Sequence, residues 1–600
     1  PMGVHTGDSI VVAPVLTLTD RQWQKLRNAA FRIVDALDVR GACNVQFAVS
    51  PDAAHYAVIE VNPRASRSSA LASKATGYPI ARMAAKIAMG WKLTEMPNPV
   101  TRTGSALSEP ALDYVVVKFP RWPFEKFPTA ETLIGTRMKS TGEVMALGRY
   151  FPEALLKAVR SLDLPFHAVD PDLRHAGLDT LWKETECPTH RRIWCILELF
   201  RRGARKEEIA SRSGIHPFYV NQVRVIADIL SEVSTDPLST ELLLRSKTAG
   251  ISDRDLACAT KAGEDDLREN RVDKHIKQGY REVDGCAGES PAGSGYLYGS
   301  YGVFDDETPA TGGGSIVVLG SGPIRIGQGV EFDYCCVKAV EALRRAGRKA
   351  VMINNNPETV STDHDMSDAL YFEPLTVEDT LPVIAREKAV GVFSSFGGQT
   401  SLKLGQDMER RGVRLLGTPS SSVNMAEDRG GFADLLDELG VAQPPGGAVT
   451  DVESGMSLAQ KIGFPLMIRP SFVIGGLAMQ VVTESSELRQ VLEMALKAEP
   501  GQSVLIDRFL PGQEFEVDAL CDGDDVLIPG IFEHLDPAGV HSGDSVALFP
   551  EISMGVDLRE QLVQTTAGIA TALKVKGLLN IQFVLSGEKL YVIEANPRAS

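Results

Sequence analysis

Residues 577–600 read GLLNIQFVLSGEKLYVIEANPRAS, and Gln582, Glu594, Asn596 and Arg598 within them are side chains of the kind that handle metal and phosphate. Ile581, Phe583, Tyr591 and Ile593 are spaced as in two packed strands around a Ser586-Gly587 turn, with a loop opening at Asn596-Pro597. A carboxylate and an amide on a buried strand are costly unless something satisfies them. A divalent cation holding a polyphosphate would do so, since hard Mg²⁺ takes oxygen ligands from Glu, Asn and Gln while Arg pairs with phosphate. A lone Glu-x-Asn-Pro-Arg is more simply a surface hairpin with an ordinary salt bridge.

The stretch occurs twice, however. Residues 41–67 read GACNVQFAVSPDAAHYAVIEVNPRASR and place Gln46, Glu60, Asn62 and Arg64 correspondingly. The offset is 536 residues at Asn44/Asn580 and Gln46/Gln582, and 534 at Glu60/Glu594. The difference falls in the hairpin loop, where length change is tolerated. An even insertion also leaves the polar residues on their original face. The loop Gly3-Val4-His5-Thr6-Gly7-Asp8-Ser9 recurs as Gly539-Val540-His541-Ser542-Gly543-Asp544-Ser545. Two polar strings at one offset indicate a duplicated site.

Composition bounds the rest. At about 150 residues per domain, 600 residues predict roughly three to five domains. A net charge of −16 argues against broad nucleic-acid affinity, so a phosphate site must be locally basic. Eight cysteines without metal-type spacing fit a reducing, cytoplasmic setting and indicate no zinc site. No apolar run reaches membrane-spanning length, and the first residues lack a signal pattern. The chain opens inside a loop motif and stops just after the second Asn-Pro-Arg. The first copy instead runs on into SRSSALASKATGYPIARMAAKIAMG, so the chain reads as a piece of a longer protein, cut inside a domain at both ends.

The elements that must position these residues follow in order. Residues 20–38 predict a helix with Asp20 as its cap, and 71–90 a further helical stretch. DYVVVKFPRWPFEKF predicts a strand whose Lys118 and Arg121 read as a solvated edge rather than phosphate ligands. Residues 161–300 predict helices. Part of them resembles a helix-turn-helix, but without a basic arm an interdomain or subunit-contact module is favoured. GSGYLYGSYGVFDDETPATGGGS reads as a linker. Residues 315–425 alternate strands and helices, the rhythm of a small doubly wound parallel sheet. Their loop Gly320–Gly329 departs from G-x-G-x-x-G spacing, and Pro323 lacks an N–H, so a dinucleotide reading is weak. A glycine turn that lets backbone approach a substrate or a neighbouring domain is at least as good a reading. Beyond a helix at 427–440, Arg469-Pro470 ends a strand and Gly475-Gly476 follows, an arrangement suited to folding over phosphates. Glu514, Glu516 and Asp518 alternate along one strand face, either solvated or beside a nucleotide and its metals.

The strings GPIRIGQGVEFDYCCVKAVEAL, NNNPETVSTDHDMSDALYFEPLTVEDT, GGQTSLKLG, IRPSFVIGG and AGVHSGDS, with IEVNPRAS and IEANPRAS, resemble the large subunit of carbamoyl-phosphate synthase over essentially the whole chain. The resemblance implies an α/β fold of ATP-grasp units and a pre-ATP-grasp domain, with an all-α domain between. Residues 1–160 would end a first, carboxyphosphate unit, and 161–310 would be a helical oligomerisation domain and linker. Residues 311–425 would be the pre-ATP-grasp domain, and 426–600 most of a second, carbamoyl-phosphate unit. It further implies that one ATP phosphorylates bicarbonate, ammonia from a glutaminase subunit gives carbamate, and a second ATP phosphorylates carbamate. By the same resemblance Gln582, Glu594 and Asn596 would hold Mg²⁺ or Mn²⁺, with K⁺ as a further cation. Arg598 and Arg469 would stabilise the transferring phosphoryl group. Arg508, Leu510, Glu514 and Gly539, Val540, His541 and Ser542 would line ATP. Gln46, Glu60, Asn62, Arg64 and Gly3, Val4 and His5 would repeat these roles.

The chain departs from the family pattern in places. Leu477 stands where an Arg is expected after the Gly-Gly pair, and Arg508 where the family often has His. The first unit lacks its N-terminal half, which implies that this polypeptide does not make carboxyphosphate. Two other readings stay open: another ATP-grasp ligase such as a biotin carboxylase, and a non-catalytic homologue. The helical spacer between two copies speaks against the former, and the intact Glu/Asn/Arg sets against the latter.

Overall fold

The computed structural model describes residues 2–127, 129–302, 305–470, 479–498 and 503–600. The chain forms two compact units, one drawn chiefly from residues 1–392 and the other chiefly from 409–600.

In the first unit the amphipathic helix Asp20–Ala36 precedes an antiparallel hairpin of Asn44–Val49 and Tyr56–Asn62. Thr19 caps this helix rather than Asp20. Its N–H donates to Gln22 Oε1 at 2.8 Å, so the side chain three residues on reaches back to an open donor. Helices Arg67–Thr76 and Ile80–Ala88 follow. Val115–Arg121 then forms the middle of a three-stranded antiparallel sheet, between Val11–Ala13 and Gly142–Gly148.

That placement overturns the solvated-edge reading of Lys118 and Arg121, which are 3% and 6% exposed. VVVKFPR is a near-continuous apolar run, the pattern of a strand covered on both faces. Lys118 keeps its charge satisfied inside, donating to the Thr6 and Gly7 carbonyls at 3.1 Å each and lying 3.5 Å from Glu143.

A helical module runs from Leu178–Glu186 to Glu264–Asp273. The helical reading of 161–300 stops there, because Gly279–Glu282 and Tyr296–Ser300 are strands. Tyr296–Ser300 lies inside the stretch read as a linker. Its Tyr-Leu-Tyr core is buried, with Tyr298 beside Tyr114 at 5.5 Å between ring centroids and Tyr296 beside Phe372 at 5.4 Å. Glycine-rich composition hid three large apolar side chains that a sheet can cover.

These two strands extend the parallel sheet expected over 315–425. Its order is Gly391–Phe393, Ile316–Leu319, Ala350–Asn354, Ala369–Phe372, Tyr296–Ser300, Gly279–Glu282. The pairings from Ile316–Leu319 through Tyr296–Ser300 are parallel, and the edge strand is antiparallel. Strand order reverses beside Ile316–Leu319, so the Gly320–Gly329 loop leaves the sheet at the topological switch point. Backbone does come close here, since a Cβ on Gly142 would lie 2.4 Å from the Ile324 carbonyl oxygen.

The second unit contains two antiparallel sheets. One has the order Gly446–Val449, Val504–Arg508, Leu466–Pro470, Gln480–Val482 and packs Leu466, Ile468, Val482, Leu488, Leu492 and Ile506 into a core. The other has the order Ala547–Leu548, Val526–Pro537, Gln513–Cys521, Gly577–Ser586, Lys589–Asn596. Phe515, Val517, Ile581, Phe583 and Val592 on one of its faces pack with Leu562 and Ile569 of helix Val556–Ala572.

Candidate active site

The opposite face of the five-stranded sheet is polar. Strand register sets Glu516, Gln582 and Glu594 side by side, and Asp518, Asn580 and Asn596 in the next row. Period-two alternation alone would not put both Val592 and Ala595 in the core, three residues apart. A β-bulge makes this possible: Gln582 pairs with Glu594 but Phe583 with Val592, leaving Ile593 as the extra residue. Tyr591 and Ile593, read from the sequence as packed strand residues, are half-buried, and Leu590, Val592 and Ala595 fill the core instead.

Hydrogen bonds join most of the expected residues. Asn596 Nδ2 donates to Glu594 Oε1 at 3.0 Å, and Arg598 Nη2 donates to Asn596 Oδ1 at 3.0 Å. Gln582 Nε2 donates to Ser542 Oγ at 3.1 Å, tying the sheet to the Gly539–Ser542 loop. The Gly539 N–H donates to Glu514 Oε1 at 3.2 Å, and the Gly543 N–H to His541 Nδ1 at 3.1 Å. Gly539 has φ +102°, which favours glycine, and a Cβ there would lie 2.8 Å from the Phe509 ring, which would have to shift.

Two groups were missed by sequence reasoning. His534 lies 3.5 Å from both Glu514 and Glu516, and these carboxylates push its imidazole up to about 9. In return His534 holds Glu516 below its ordinary value, whereas burial raises Asp518. Asn580, 1% exposed, donates to Glu516 Oε1 at 2.7 Å and Asp518 Oδ1 at 3.0 Å. The recurrence of Asn44 as Asn580 was the available signal for the second, and none marked the first. Burial lowers the Arg598 guanidinium.

Arg469 and Arg508 stand on the other sheet, where Leu466 pairs with Arg508 and Arg469 with Leu505. Arg469 lies 3.5 Å from buried Asp507, which Arg429 approaches at 2.5 Å. No described hydrogen bond or ion pair joins Arg469 or Arg508 to Gln582, Glu594 or Asn596. Leu510 lies in the connection between the sheets, and the Ala538 N–H donates to the Gly512 carbonyl at 3.0 Å, bringing the glycine loop to that connection. Leu477 and Gly475-Gly476 lie outside the described residues.

The first hairpin repeats the local geometry. Gln46 pairs with Glu60 and Phe47 with Val58, so Ile59 is the extra residue of an identical bulge. Asn62 Nδ2 donates to Glu60 Oε1 at 3.0 Å, and Arg64 Nη1 to the Ala65 carbonyl at 3.1 Å. Gly3 has φ +98°, Val4 follows it, and His5 Nδ1 accepts from the Gly7 N–H at 3.0 Å. Helices Asp20–Ala36 and Val556–Ala572 also start and end 536 residues apart.

A third feature of the first unit was not foreseen. Burial and the neighbouring Glu143 push the Glu358 carboxyl up to about 7, and burial also raises Glu143. Such perturbed carboxyls are commonest at functional sites.

The donor set fits a phosphate-bound hard cation. Gln582, Glu594 and Asn596 offer oxygens with a single carboxylate among them, too few for an all-protein cage and sufficient for Mg²⁺ that keeps phosphate and water ligands. Among the described residues no group of three or more His, Cys, Asp or Glu is arranged to hold a metal ion.

Comparison with known proteins places this site in a family. Solved structures similar to the chain include biotin carboxylase from Campylobacter jejuni, at 18% identity over 48% of this chain and 66% of that one, TM-score 0.39. N5-carboxyaminoimidazole ribonucleotide synthetase from Thermus thermophilus matches at 19% over 48% and 71%, TM-score 0.37. D-alanine–D-alanine ligase from Bacillus anthracis matches at 16% over 48% and 87%, TM-score 0.36. The chain thus spans just under two thirds of the biotin carboxylase it matches. Family models are more specific. The carbamoyl-phosphate synthase L chain ATP-binding domain matches twice, at residues 1–96 and 428–600, once around each hairpin. The oligomerisation domain of the large chain matches residues 143–275, and its preATP-grasp domain residues 313–425. With the ATP-binding model falling on both hairpins and the large chain's other two domains between them, the chain belongs to the carbamoyl-phosphate synthase large-chain family, a family of ATP-dependent ligases.

Proposed function

We propose that the chain is a large part of the synthetase of a carbamoyl-phosphate synthase, which makes carbamoyl phosphate from bicarbonate, ammonia and two ATP through carboxyphosphate and carbamate. The observation that supports it most is the paired hairpin, with one bulge, one Glu–Asn–Arg order and one glycine–histidine loop in each copy. Two like sites suit two like phosphorylations, of bicarbonate and of carbamate.

Phosphoryl transfer asks a protein for positioning and charge neutralisation rather than covalent chemistry. In the second copy Asn596 holds both Glu594 and Arg598, so one amide orients a metal-facing carboxylate and a phosphate-facing cation together. Arg598 and Arg469 would neutralise the transferring group, and Arg64 would do so in the first copy. Arg508, Leu510, Glu514 and the Gly539–Ser542 loop would line ATP, with Gly3, Val4 and His5 as counterparts. Gln582, Glu594 and Asn596, and likewise Gln46, Glu60 and Asn62, would hold Mg²⁺ or Mn²⁺, which would neutralise phosphate charge. K⁺ as a further cation, a separate glutaminase as ammonia donor and self-association through residues 161–310 belong to the same proposal. So do the domain limits at 160, 310 and 425. Eight cysteines without metal-type spacing support a cytoplasmic setting, and no described helix is long and apolar enough to cross a membrane.

The test is a pair of assays on the full-length parent protein: bicarbonate-dependent ATP hydrolysis, and ATP synthesis from carbamoyl phosphate and ADP. Absence of both sinks the reading, and biotin-dependent carboxylation would favour a carboxylase instead.

A further inference from the structure

Away from both hairpins, the first unit holds a cavity of about 720 Å³, within the range of small-molecule sites. It opens between the end of helix Glu264–Asp273, the strand Gly279–Glu282 and the helix Val377–Arg386. Ile276, Leu381 and Pro382 give it an apolar floor beside the buried ring of Tyr280, with Val272 and Ala385 at its exposed rim.

Its charges are unevenly committed. Glu378 is occupied by Lys247 and by the Asp253 N–H at 2.6 Å. Asp306 accepts from Arg386 Nε at 2.8 Å and from the Tyr280 N–H at 2.9 Å. Buried Arg271 is fixed by Asp253 at 2.9 Å, and the Arg386 guanidinium lies 5.1 Å over the Tyr280 ring. Of the remaining cations, Arg268 has only a loose 3.4 Å pair with Asp265, and Lys277 has no acidic partner among the described residues. Asp305 is the one acid on the wall without a hydrogen bond or ion pair among the described residues. In a chain of net charge −16, this cavity presents spare cations over an apolar floor.

We propose that the cavity binds a small organic anion, a carboxylate or phosphate carried on a flat apolar body. The anion would sit at Arg268 and Lys277, and the apolar body would lie between Tyr280 and Pro382. The site is independent of the synthetase reading, because it uses no residue of either hairpin or glycine loop.

Calorimetric titration with 1-naphthyl phosphate and with 1-naphthoate, at saturating ATP, tests this and separates phosphate from carboxylate. One-site binding of at least one probe is expected, with neutral 1-naphthalenemethanol clearly weaker. The double variant Arg268→Glu, Lys277→Glu should bind the anion about tenfold more weakly or worse, the loss typical of charged hydrogen bonds. Ala385→Trp, which blocks the mouth without touching charge, should abolish binding while the melting temperature holds. No binding by either probe, equal binding of the neutral analogue, or unchanged affinity in both variants would overturn the proposal, whatever the outcome of the synthetase assays.

Discussion

The two hairpins share a sequence pattern, a register and a bulge, but they live in different surroundings. In the second, Gln513–Cys521 pairs along Gly577–Ser586, and Phe583 and Val592 are sealed in a core at 0% and 1% exposure. In the first, Asn44–Val49 and Tyr56–Asn62 form a two-stranded sheet among the described residues, and Tyr56, Val58 and Ile59 are 40–49% exposed. The strands that seal the second copy, Gln513–Cys521 and Val526–Pro537, have no counterpart within this sequence, whose ATP-binding match around the first hairpin covers residues 1–96 only. Bulge position and the Asn–Glu and Arg contacts are set by the hairpin's own residues, whereas burial comes from neighbouring strands.

The contrast predicts its largest effect at the paired phenylalanines. Phe583→Ala should cost about 3–5 kcal/mol, the usual price of emptying an aromatic from a core. Phe47→Ala, at a half-buried site against Tyr56, should cost about 1 kcal/mol or less. Urea unfolding read by hydrogen exchange in each unit measures both, and equal losses would erase the distinction.

Next come the paired glutamates. If the second site runs the carbamate step, Glu594→Gln lowers ATP synthesis from carbamoyl phosphate and ADP by about a hundredfold, while Glu60→Gln leaves it within about threefold. In the full-length parent, bicarbonate-dependent hydrolysis should be largely intact in Glu594→Gln. The reverse pattern would mean that the two sites are exchanged.

Smaller effects follow from groups that the copies do not share. His534 titrates near 9 when folded, above its ordinary value, so its contribution is full below about pH 6.5 and is lost as pH rises through 9. Melting of the second unit should fall over that window, and His534→Gln should flatten the fall. Glu358 in the first unit is an acid with a raised value of about 7, so ionising it in the folded state is penalised and stability drops as pH rises from about 4.5 to 7. Glu358→Gln should therefore gain melting temperature relative to wild type at pH 8 but not at pH 5. A variant whose gain is the same at both pH values would show that the carboxyl is not perturbed.

Much of this was legible beforehand. The repeated polar string located both hairpins, and alternation over 315–425 marked the parallel sheet, because both rest on short-range periodicity. Lys118 was misread since a single Lys in VVVKFPR resembles an exposed edge until two flanking strands are known. Tyr296–Ser300 was misread because its partner strand, Ala369–Phe372, lies some 70 residues away. His534 carried no signal, as its meaning comes from Glu514 and Glu516 on a neighbouring strand.

For the hairpin at residues 577–600, the sequence alone determined which side chains recur and in what order. Spacing along a strand also dictates which of them share a face. Only the tertiary structure decided that Ile593 is the bulge, and that Asn580 and His534 hold the carboxylates. Those outcomes depend on cross-strand partners and desolvation, which residues distant in the chain supply.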